Sequence, residues 1–281
     1  MHRYNWLEKI LFLPTRFERV KLQRALEGKT ILITGASSGI GEQVAYLLAD
    51  VNVHMILVAR SEEKLAAIKQ KIEQKRARVT VIKADLRNDD EQDVVLQYIH
   101  ELPDGLDIVV SNAGHSIVRS IFHSLDRYHD FTRTMAINYF APVRLLLSLL
   151  PLLEKNQGQL INVSTINVLI QPLTYGAAYQ SSKAAFHVWL QSVAPELHAR
   201  GIITTSIYLP LVKTPMIVPT TAYTKMPAMS PAHVANIICK TMYTKKRQYK
   251  PWWGVPLQWA SIGLSGVWLR VTSRIVKRGR E

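Results

Sequence analysis

The first strand of the chain runs straight into a glycine-rich turn, and this transition constrains the fold more than any other stretch. The apolar run 30–34 predicts a buried strand, and Gly35, Gly39 and Gly41 follow it where an apolar-periodic helix begins. Glycines at such a turn let the backbone approach a pyrophosphate, which sits at the positive end of the helix dipole. The stretch therefore predicts a strand–turn–helix unit that binds a nucleotide.

Short apolar runs alternate with helical stretches along the rest of the chain. Strands are predicted near 30–34, 54–59, 79–84, 106–111, 159–164 and 203–209, and helices near 40–49, 62–75, 89–101, 125–154 and 176–200. This alternation predicts a doubly wound α/β fold, in which helices cover both faces of a parallel sheet. We divide the chain into an amphipathic N-terminal extension broken at Pro14 (1–27), one domain (28–250), and a tail that is apolar and then basic (251–281).

Composition limits the classes of protein and partner. With 281 residues, of which 48% are hydrophobic and 20% charged, the chain can bury the core of one large domain and is not disordered. The single Cys239 excludes an internal disulfide and favours a reducing compartment such as the cytoplasm. No Cys/His spacing is typical of a zinc site, so we expect no metal.

The net charge of +14 is concentrated at the two ends of the chain. Residues 1–29 hold seven Lys/Arg and three Glu, a net +4, and residues 240–281 hold ten Lys/Arg and one Glu, a net +9. Because no nucleic-acid-binding module is recognisable, this distribution favours an anionic membrane surface over a nucleic acid.

Tyr179 and Lys183 stand four residues apart in Tyr-Gln-Ser-Ser-Lys, a spacing that places both on one face of a helix. The ordinary pKa of tyrosine, about 10, is too high for proton exchange at neutral pH. A neighbouring ammonium group favours the phenolate and lowers that pKa, so the pair is a candidate general acid and base. Such pairs also occur by chance on solvated helices. The pair therefore indicates a catalytic role only in combination with other motifs.

The glycine-rich turn also fits the pattern G-x-S-x-G, with Ser37 between Gly35 and Gly39. That pattern is the nucleophile elbow of serine hydrolases. A hydrolase would need an acid and a histidine as partners, and none follows in an obvious position. We therefore favour the nucleotide site, and we keep the serine hydrolase and a nucleotide-binding scaffold without turnover as alternatives.

Three motifs in one order resemble the short-chain dehydrogenase/reductases. They are Thr34-Gly-Ala-Ser-Ser-Gly-Ile-Gly41, Asn112-Ala-Gly114 and Tyr179-x-x-x-Lys183. The resemblance spans residues 28–245 and implies a Rossmann-type domain, a nicotinamide cofactor and oxidoreduction of a carbonyl or alcohol. Segments 131–135, 138–140 and 209–220 are similar to bacterial fatty acyl-CoA reductases of this fold, which implies a lipid-like carbonyl substrate.

The resemblance also assigns roles to residues. It implies that Tyr179 exchanges the proton, that Lys183 assists it and binds the ribose, and that Asn138 completes a relay to solvent. The substrate-orienting hydroxyl falls on Thr165 or Ser164; successive strand side chains face opposite sides, and we prefer Thr165. The other implied cofactor contacts are Gly35, Ser37, Ser38, Gly39, Ile40, Gly41, Asp85, Leu86, Asn112, Ala113, Gly114, Val212 and Thr214.

Arg60 stands at the end of the second predicted strand. A carboxylate at this place would bind the ribose 2′-hydroxyl of NAD, whereas an arginine accommodates the 2′-phosphate of NADP. The alternative is an arginine that merely points into solvent. We expect NADP.

The uncharged segment 251–269 contains four tryptophans and is flanked by Lys and Arg on both sides. Three glycines and Pro256 make it a poor transmembrane helix, whereas tryptophan suits the membrane–water interface. We expect peripheral membrane contact through both ends of the chain. The alternative is that the segment packs on the domain, covering the substrate pocket, or against a second copy in a homo-oligomer.

Replacing Arg60 by alanine should raise the KM for NADPH and leave the KM for NADH nearly unchanged, because only NADPH presents a 2′-phosphate. Steady-state kinetics with both cofactors measures this. Equal effects on the two cofactors would rule out the role assigned to Arg60.

Overall fold

Seven parallel strands form the centre of the structure, a computed structural model that describes residues 4–220, 223 and 225–278. The strands are β1 (Thr30–Thr34), β2 (His54–Ala59), β3 (Arg78–Lys83), β4 (Ile108–Ser111), β5 (Gln159–Thr165), β6 (Ile203–Leu209) and β7 (Gln248–Tyr249). Their order in the sheet is β3-β2-β1-β4-β5-β6-β7.

Helices connect the strands and extend both ends of the chain. They are α1 (Trp6–Leu11), α2 (Arg19–Leu26), α3 (Gly39–Leu48), α4 (Glu62–Ile72), α5 (Asp89–His100), α6 (Tyr128–Met135), α7 (Ala141–Lys155), α8 (Ala177–Ala199), α9 (Pro231–Thr244), α10 (Gly254–Gly263) and α11 (Ser265–Arg278).

The two faces of the sheet carry separate apolar cores. On one face, α2, α3, α4 and α9 pack on side chains such as Ile31 and Leu57. On the other face, α5, α7 and α8 pack on side chains such as Leu32 and Ile56. Neighbouring residues of one strand thus point to opposite cores, as strand geometry requires. The predicted doubly wound α/β fold is confirmed.

The strand order reverses between β1 and β4, which are adjacent in the sheet although β2 and β3 lie between them in sequence. In an open parallel sheet such a reversal leaves a crevice outside the carboxyl ends of the strands, where ligands bind. The glycine-rich turn after β1 and the turn Asn112–Gly114 after β4 both lie at this crevice.

The predicted helix 125–154 is interrupted in the structure. It begins at Tyr128 and contains a π-helical turn, Ala136–Phe140, between α6 and α7. Pro142 has no N–H to donate to the carbonyl of Asn138, which breaks the regular i→i−4 ladder at this point. By length and composition alone the stretch Tyr128–Lys155 could cross a membrane, but the buried leucines of α7 belong to the core of the sheet.

Other boundaries differ from the prediction, and some elements were not predicted. β4 begins at Ile108 instead of 106, and just before it the Asp107 carboxylate accepts hydrogen bonds from Lys29 Nζ (2.7 Å) and Thr30 N (2.8 Å) at the start of β1. α9, β7 and the two C-terminal helices were not predicted.

The N-terminal extension is attached to the domain through a buried carboxylate. Glu8 Oε1 accepts hydrogen bonds from Lys213 Nζ at 2.7 Å and from the N–H of Ala228 at 3.3 Å. Burial alone would raise the pKa of Glu8, but hydrogen bonds from Lys213 and from backbone N–H groups lower it overall. Glu8 therefore holds α1 against the loop after β6 and the segment before α9.

Replacing Glu8 by glutamine should lower the free energy of unfolding at neutral pH by about 1.5–3 kcal/mol, the usual range for a hydrogen bond to a charged group. A lowered pKa in the folded state stabilises the fold above the unfolded pKa of glutamate, about 4.3. That contribution is lost as the pH falls through the folded value. Urea unfolding should therefore show the wild type and the variant converging below about pH 4.

Glu18→Gln is the matched control, because Glu18 is exposed and pairs with Lys21 at the surface. Such pairs contribute little to stability. Equal losses in both variants, or a loss in Glu8→Gln that persists at low pH, would contradict the anchoring role.

Candidate active site

A cavity of about 960 Å³ lies outside the carboxyl ends of the strands. Each of the first six strands contributes to its wall near its carboxyl end. These residues are Gly35, Arg60, Asp85, Asn112, Thr165 and Leu211. Ligand pockets usually measure about 300–1,000 Å³, so this cavity has room for a large cofactor together with a substrate.

The turn after β1 is so tight that only glycine fits at two positions. Gly35 has a φ of +65°, and a Cβ there would lie 2.9 Å from Ala113 Cα. A Cβ at Gly41 would lie 2.6 Å from the carbonyl oxygen of Gly35. Ser38, the N-cap of α3, makes no side-chain capping hydrogen bond, so the first N–H groups of α3 remain available to an anion. The turn fits the pyrophosphate of a dinucleotide.

Asn112 ties this turn to the turn after β4. Its Nδ2 donates to the carbonyl oxygens of Thr34 at 2.9 Å and Gly35 at 3.1 Å. In return, Thr34 Oγ1 accepts hydrogen bonds from the backbone N–H groups of Asn112 and Ala113, both at 3.0 Å. Both amide protons of Asn112 are used inside the protein, so this residue positions the cavity floor.

Tyr179 and Lys183 lie one turn apart in α8, and both line the cavity. Burial raises the pKa of the Tyr179 phenol to about 12, while hydrogen bonding with Thr165 acts in the opposite direction. Burial also lowers the pKa of Lys183 to about 8. Burial outweighs any lowering of the Tyr179 pKa in this structure, and the expectation that Lys183 favours the phenolate stays a prediction. The phenol is protonated at neutral pH and can donate a proton.

Ser164 and Thr165 end β5, and both line the cavity while remaining buried. The Thr165 hydroxyl interacts with the Tyr179 phenol. It also accepts the N–H of Asn167 at 3.3 Å, which fixes its direction. This geometry favours Thr165, and the choice between the two hydroxyls stays a prediction.

Asn138 lies in the π-helical turn, behind the cavity wall, and is buried. Its Oδ1 accepts the N–H of His115 at 2.9 Å, and its Nδ2 donates to the His115 carbonyl oxygen at 2.8 Å. Nδ2 also donates to Ser182 Oγ in α8 at 2.9 Å. Asn138 thus holds the segment after β4 against α8, and its place in a proton relay stays a prediction.

Arg60 is exposed at the end of β2, beside Asp85. A hydrogen bond from Arg87 lowers the pKa of Asp85 against the effect of burial, and the charge of Arg60 lowers it further. The Arg87 Nε to Asp85 Oδ1 distance is 2.9 Å. Two guanidinium groups near one carboxylate leave excess positive charge, which suits a phosphate better than an uncharged ribose.

With two exceptions, the residues predicted to bind cofactor or substrate line the cavity. They are Gly35, Ser37, Ser38, Gly39, Ile40, Arg60, Asp85, Leu86, Asn112, Ala113, Gly114, Ser164, Thr165, Tyr179, Lys183, Val212 and Thr214. The exceptions, Gly41 and Asn138, support the wall from behind. Among the described residues, no group of three His, Cys, Asp or Glu side chains could hold a metal ion.

Sequence reasoning gave the C-terminal part of the apolar wall only as an alternative and did not place the N-terminal part. The apolar wall comes from both ends of the chain, through Leu11 and Phe12 on one side and Trp253, Leu257 and Trp268 on the other. The tryptophans between 251 and 269 were the available signal, but they fit a membrane interface equally well.

Gln180, next to Tyr179, was also missed. It is buried in the cavity wall, and its Oε1 accepts the N–H of Leu173 at 3.2 Å. Its Nε2 is buried with no hydrogen-bond partner in the part of the chain described. A donor in this position suits a polar atom of a substrate.

Comparison with known proteins gives consistent matches. The sequence profile described as short chain dehydrogenase matches residues 29–224. A fatty acyl-CoA reductase of Acinetobacter baylyi is 43% identical over 214 residues, which cover 76% of this chain and 72% of the relative. A fatty acyl-CoA reductase of Mycobacterium tuberculosis is 36% identical over 227 residues, which cover 80% of this chain and 77% of the relative.

Among solved structures, the L-sorbose reductase of Gluconobacter frateurii, complexed with NADPH and L-sorbose, matches with a TM-score of 0.70 and 25% identity. The match covers 78% of this chain and 91% of that protein.

Replacing Thr165 by alanine should lower kcat on the order of 10²-fold, the usual loss when one hydrogen-bond donor to a developing oxyanion is removed. Ser164→Ala should have a much smaller effect, and Thr165→Ser should keep most of the activity because it keeps the hydroxyl. Steady-state kinetics of the three variants tests this. If Ser164→Ala is the more damaging change, the hydroxyl has been assigned to the wrong residue.

Proposed function

The chain belongs to the short-chain dehydrogenases, and we propose that it is an NADP-dependent oxidoreductase acting on the carbonyl or alcohol group of a lipid-like, fatty acyl substrate. The observation that carries the proposal is one cavity that combines Tyr179, Lys183 and Thr165 with an apolar wall from both chain ends. Such a wall favours a hydrocarbon chain over water. The relatives named fatty acyl-CoA reductases support the same substrate class.

The residues of the cavity fit NADP. The turn from Gly35 to Gly41 would hold the pyrophosphate, Arg60 the 2′-phosphate and Lys183 the ribose. The L-sorbose reductase of the same fold is complexed with NADPH, which supports this choice. When bound, the cofactor supplies the hydride that reduces the carbonyl carbon.

In the proposed reaction, side chains of the protein transfer the proton and stabilise the developing charge. Tyr179 donates its proton to the carbonyl oxygen as that oxygen gains negative charge. Thr165 donates a hydrogen bond to the same oxygen. Lys183 provides a positive charge that favours the phenolate left behind, and Asn138 supports the path by which the proton is replaced from solvent.

A nucleotide-binding scaffold without turnover is the second candidate. One observation favours it: a threonine, Thr165, stands where the family resemblance implies a serine, and its methyl group would crowd the substrate. No observation favours the serine hydrolase, because no histidine or acid hydrogen-bonds Ser37 among the residues that the structure describes.

A location in the cytoplasm, with peripheral membrane contact through both ends of the chain, belongs to the same proposal. It is supported by the single buried Cys239 and by the concentration of basic charge at the two ends.

The test is NADPH oxidation with a panel of acyl thioesters and aldehydes of increasing chain length. We expect turnover to rise with chain length and to fall by about 10²–10⁴-fold in Tyr179→Phe, the usual contribution of a positioned acid. NADPH affinity, measured by fluorescence titration, should stay within a few-fold in this variant, because the ring still fills its space.

Tyr175→Phe serves as the control, because Tyr175 is an exposed tyrosine of the preceding loop. It should leave turnover nearly unchanged. Tight NADPH binding without turnover across the whole panel would favour the scaffold. Full activity of Tyr179→Phe would overturn the assignment of the proton donor.

A further inference from the structure

The two ends of the chain meet on one side of the domain. Trp252 Nε1 donates to the carbonyl oxygen of Ile10 at 3.0 Å, and Trp253 Nε1 donates to that of Leu11 at 3.1 Å. These bonds join the end of α1 to the residues that precede α10, and α11 follows α10 almost directly. We call the segments 4–13 and 252–278 the terminal platform.

Some apolar side chains of the terminal platform line the cavity, on what we call its inner side, and others are exposed to solvent, on what we call its outer side. Leu11, Trp253, Leu257 and Trp268 lie on the inner side and line the cavity. The outer side exposes large apolar side chains, each at least 50% exposed. They include Trp6, Ile10, Leu13, Trp259, Ile262 and Leu269. An exposed apolar surface of this extent marks an interaction site.

The charge of the terminal platform selects the kind of partner. Glu8, the acidic residue of α1, is buried, and residues 254–278 contain no Asp or Glu. Arg270, Arg274 and Lys277 are exposed on α11. Contact with a second copy would bring like charges together, whereas an anionic lipid leaflet would neutralise them. Exposed tryptophans beside basic residues are typical of a membrane–water interface.

We propose that the terminal platform docks the protein on an anionic lipid bilayer, and that the hydrocarbon part of the substrate enters the cavity between α1 and α10–α11. The docking rests on the outer surface alone, and the passage of substrate rests on the proposed function. Since the inner side of the same segments is apolar, a hydrocarbon chain can leave the bilayer for the cavity without full exposure to water.

The experiment uses the full chain and its Trp6→Ser/Trp259→Ser variant. Both tryptophans are more than 70% exposed and neither lines the cavity. Leu125→Ser is the control, because Leu125 is 79% exposed and lies outside the terminal platform. Binding is measured by sedimentation with phosphatidylcholine vesicles, with and without phosphatidylserine, at low and high salt. Turnover is measured with a long-chain aldehyde in the vesicles and with a short, water-soluble aldehyde.

We expect the wild type and Leu125→Ser to bind vesicles that contain phosphatidylserine and to be partly released by salt. The affinity of the double variant for these vesicles should fall by about tenfold or more, because two large apolar anchors are lost. Its turnover of the long-chain aldehyde in vesicles should fall by a similar factor, while its turnover of the soluble aldehyde stays unchanged.

The docking would be overturned if the wild type did not bind vesicles, or if the wild type and the double variant bound them equally. It would also be overturned if gel filtration showed a dimer for the wild type and a monomer for the double variant. An equal loss of turnover on the soluble aldehyde would overturn the docking role of the two tryptophans and assign them to the fold. Vesicle binding that depends on both tryptophans, with no turnover of any aldehyde, would support the docking and refute the proposed function.

Discussion

The contact between the turns after β1 and β4 is made by backbone, because a side chain at Gly35 or Gly41 would collide with neighbouring main-chain atoms. Asn112 closes this contact with hydrogen bonds to the turn after β1. The third close approach is at Gly114, where a Cβ would lie 3.0 Å from Asn138 Oδ1 and 3.4 Å from Lys183 Nζ. The turn after β1 and Lys183 of α8 are therefore both positioned through close approaches to glycine.

Burial has opposite effects on the two central side chains, because it disfavours whichever form is charged. It raises the pKa of Tyr179 to about 12 and lowers that of Lys183 to about 8. At neutral pH the phenol carries its proton, which is the form needed to protonate a carbonyl oxygen during reduction. Oxidation of an alcohol needs the phenolate, whose population rises with pH.

Much of the fold could be predicted, because short apolar runs and a glycine-rich turn are local patterns. Three of the predicted strand ranges match the structure at both ends, those of β1, β2 and β6. The π-helical turn could not be predicted in this way, since Pro142 in a long apolar helix does not say how the helix adjusts. The roles of Leu11 and Trp253 depend on two segments about 240 residues apart coming together, which no local pattern reports.

The segments at the two chain ends are also connected to the cofactor side of the cavity. Lys213, which pairs with buried Glu8 of α1, stands between Val212 and Thr214, and both of these line the cavity. A movement of α1 would therefore pull on the loop that is expected to contact the nicotinamide. Because α1 also belongs to the terminal platform, contact with a bilayer would act on the segment that fixes this loop. If the platform docks as proposed, lipid binding and cofactor binding would both involve the ion pair of Glu8 and Lys213.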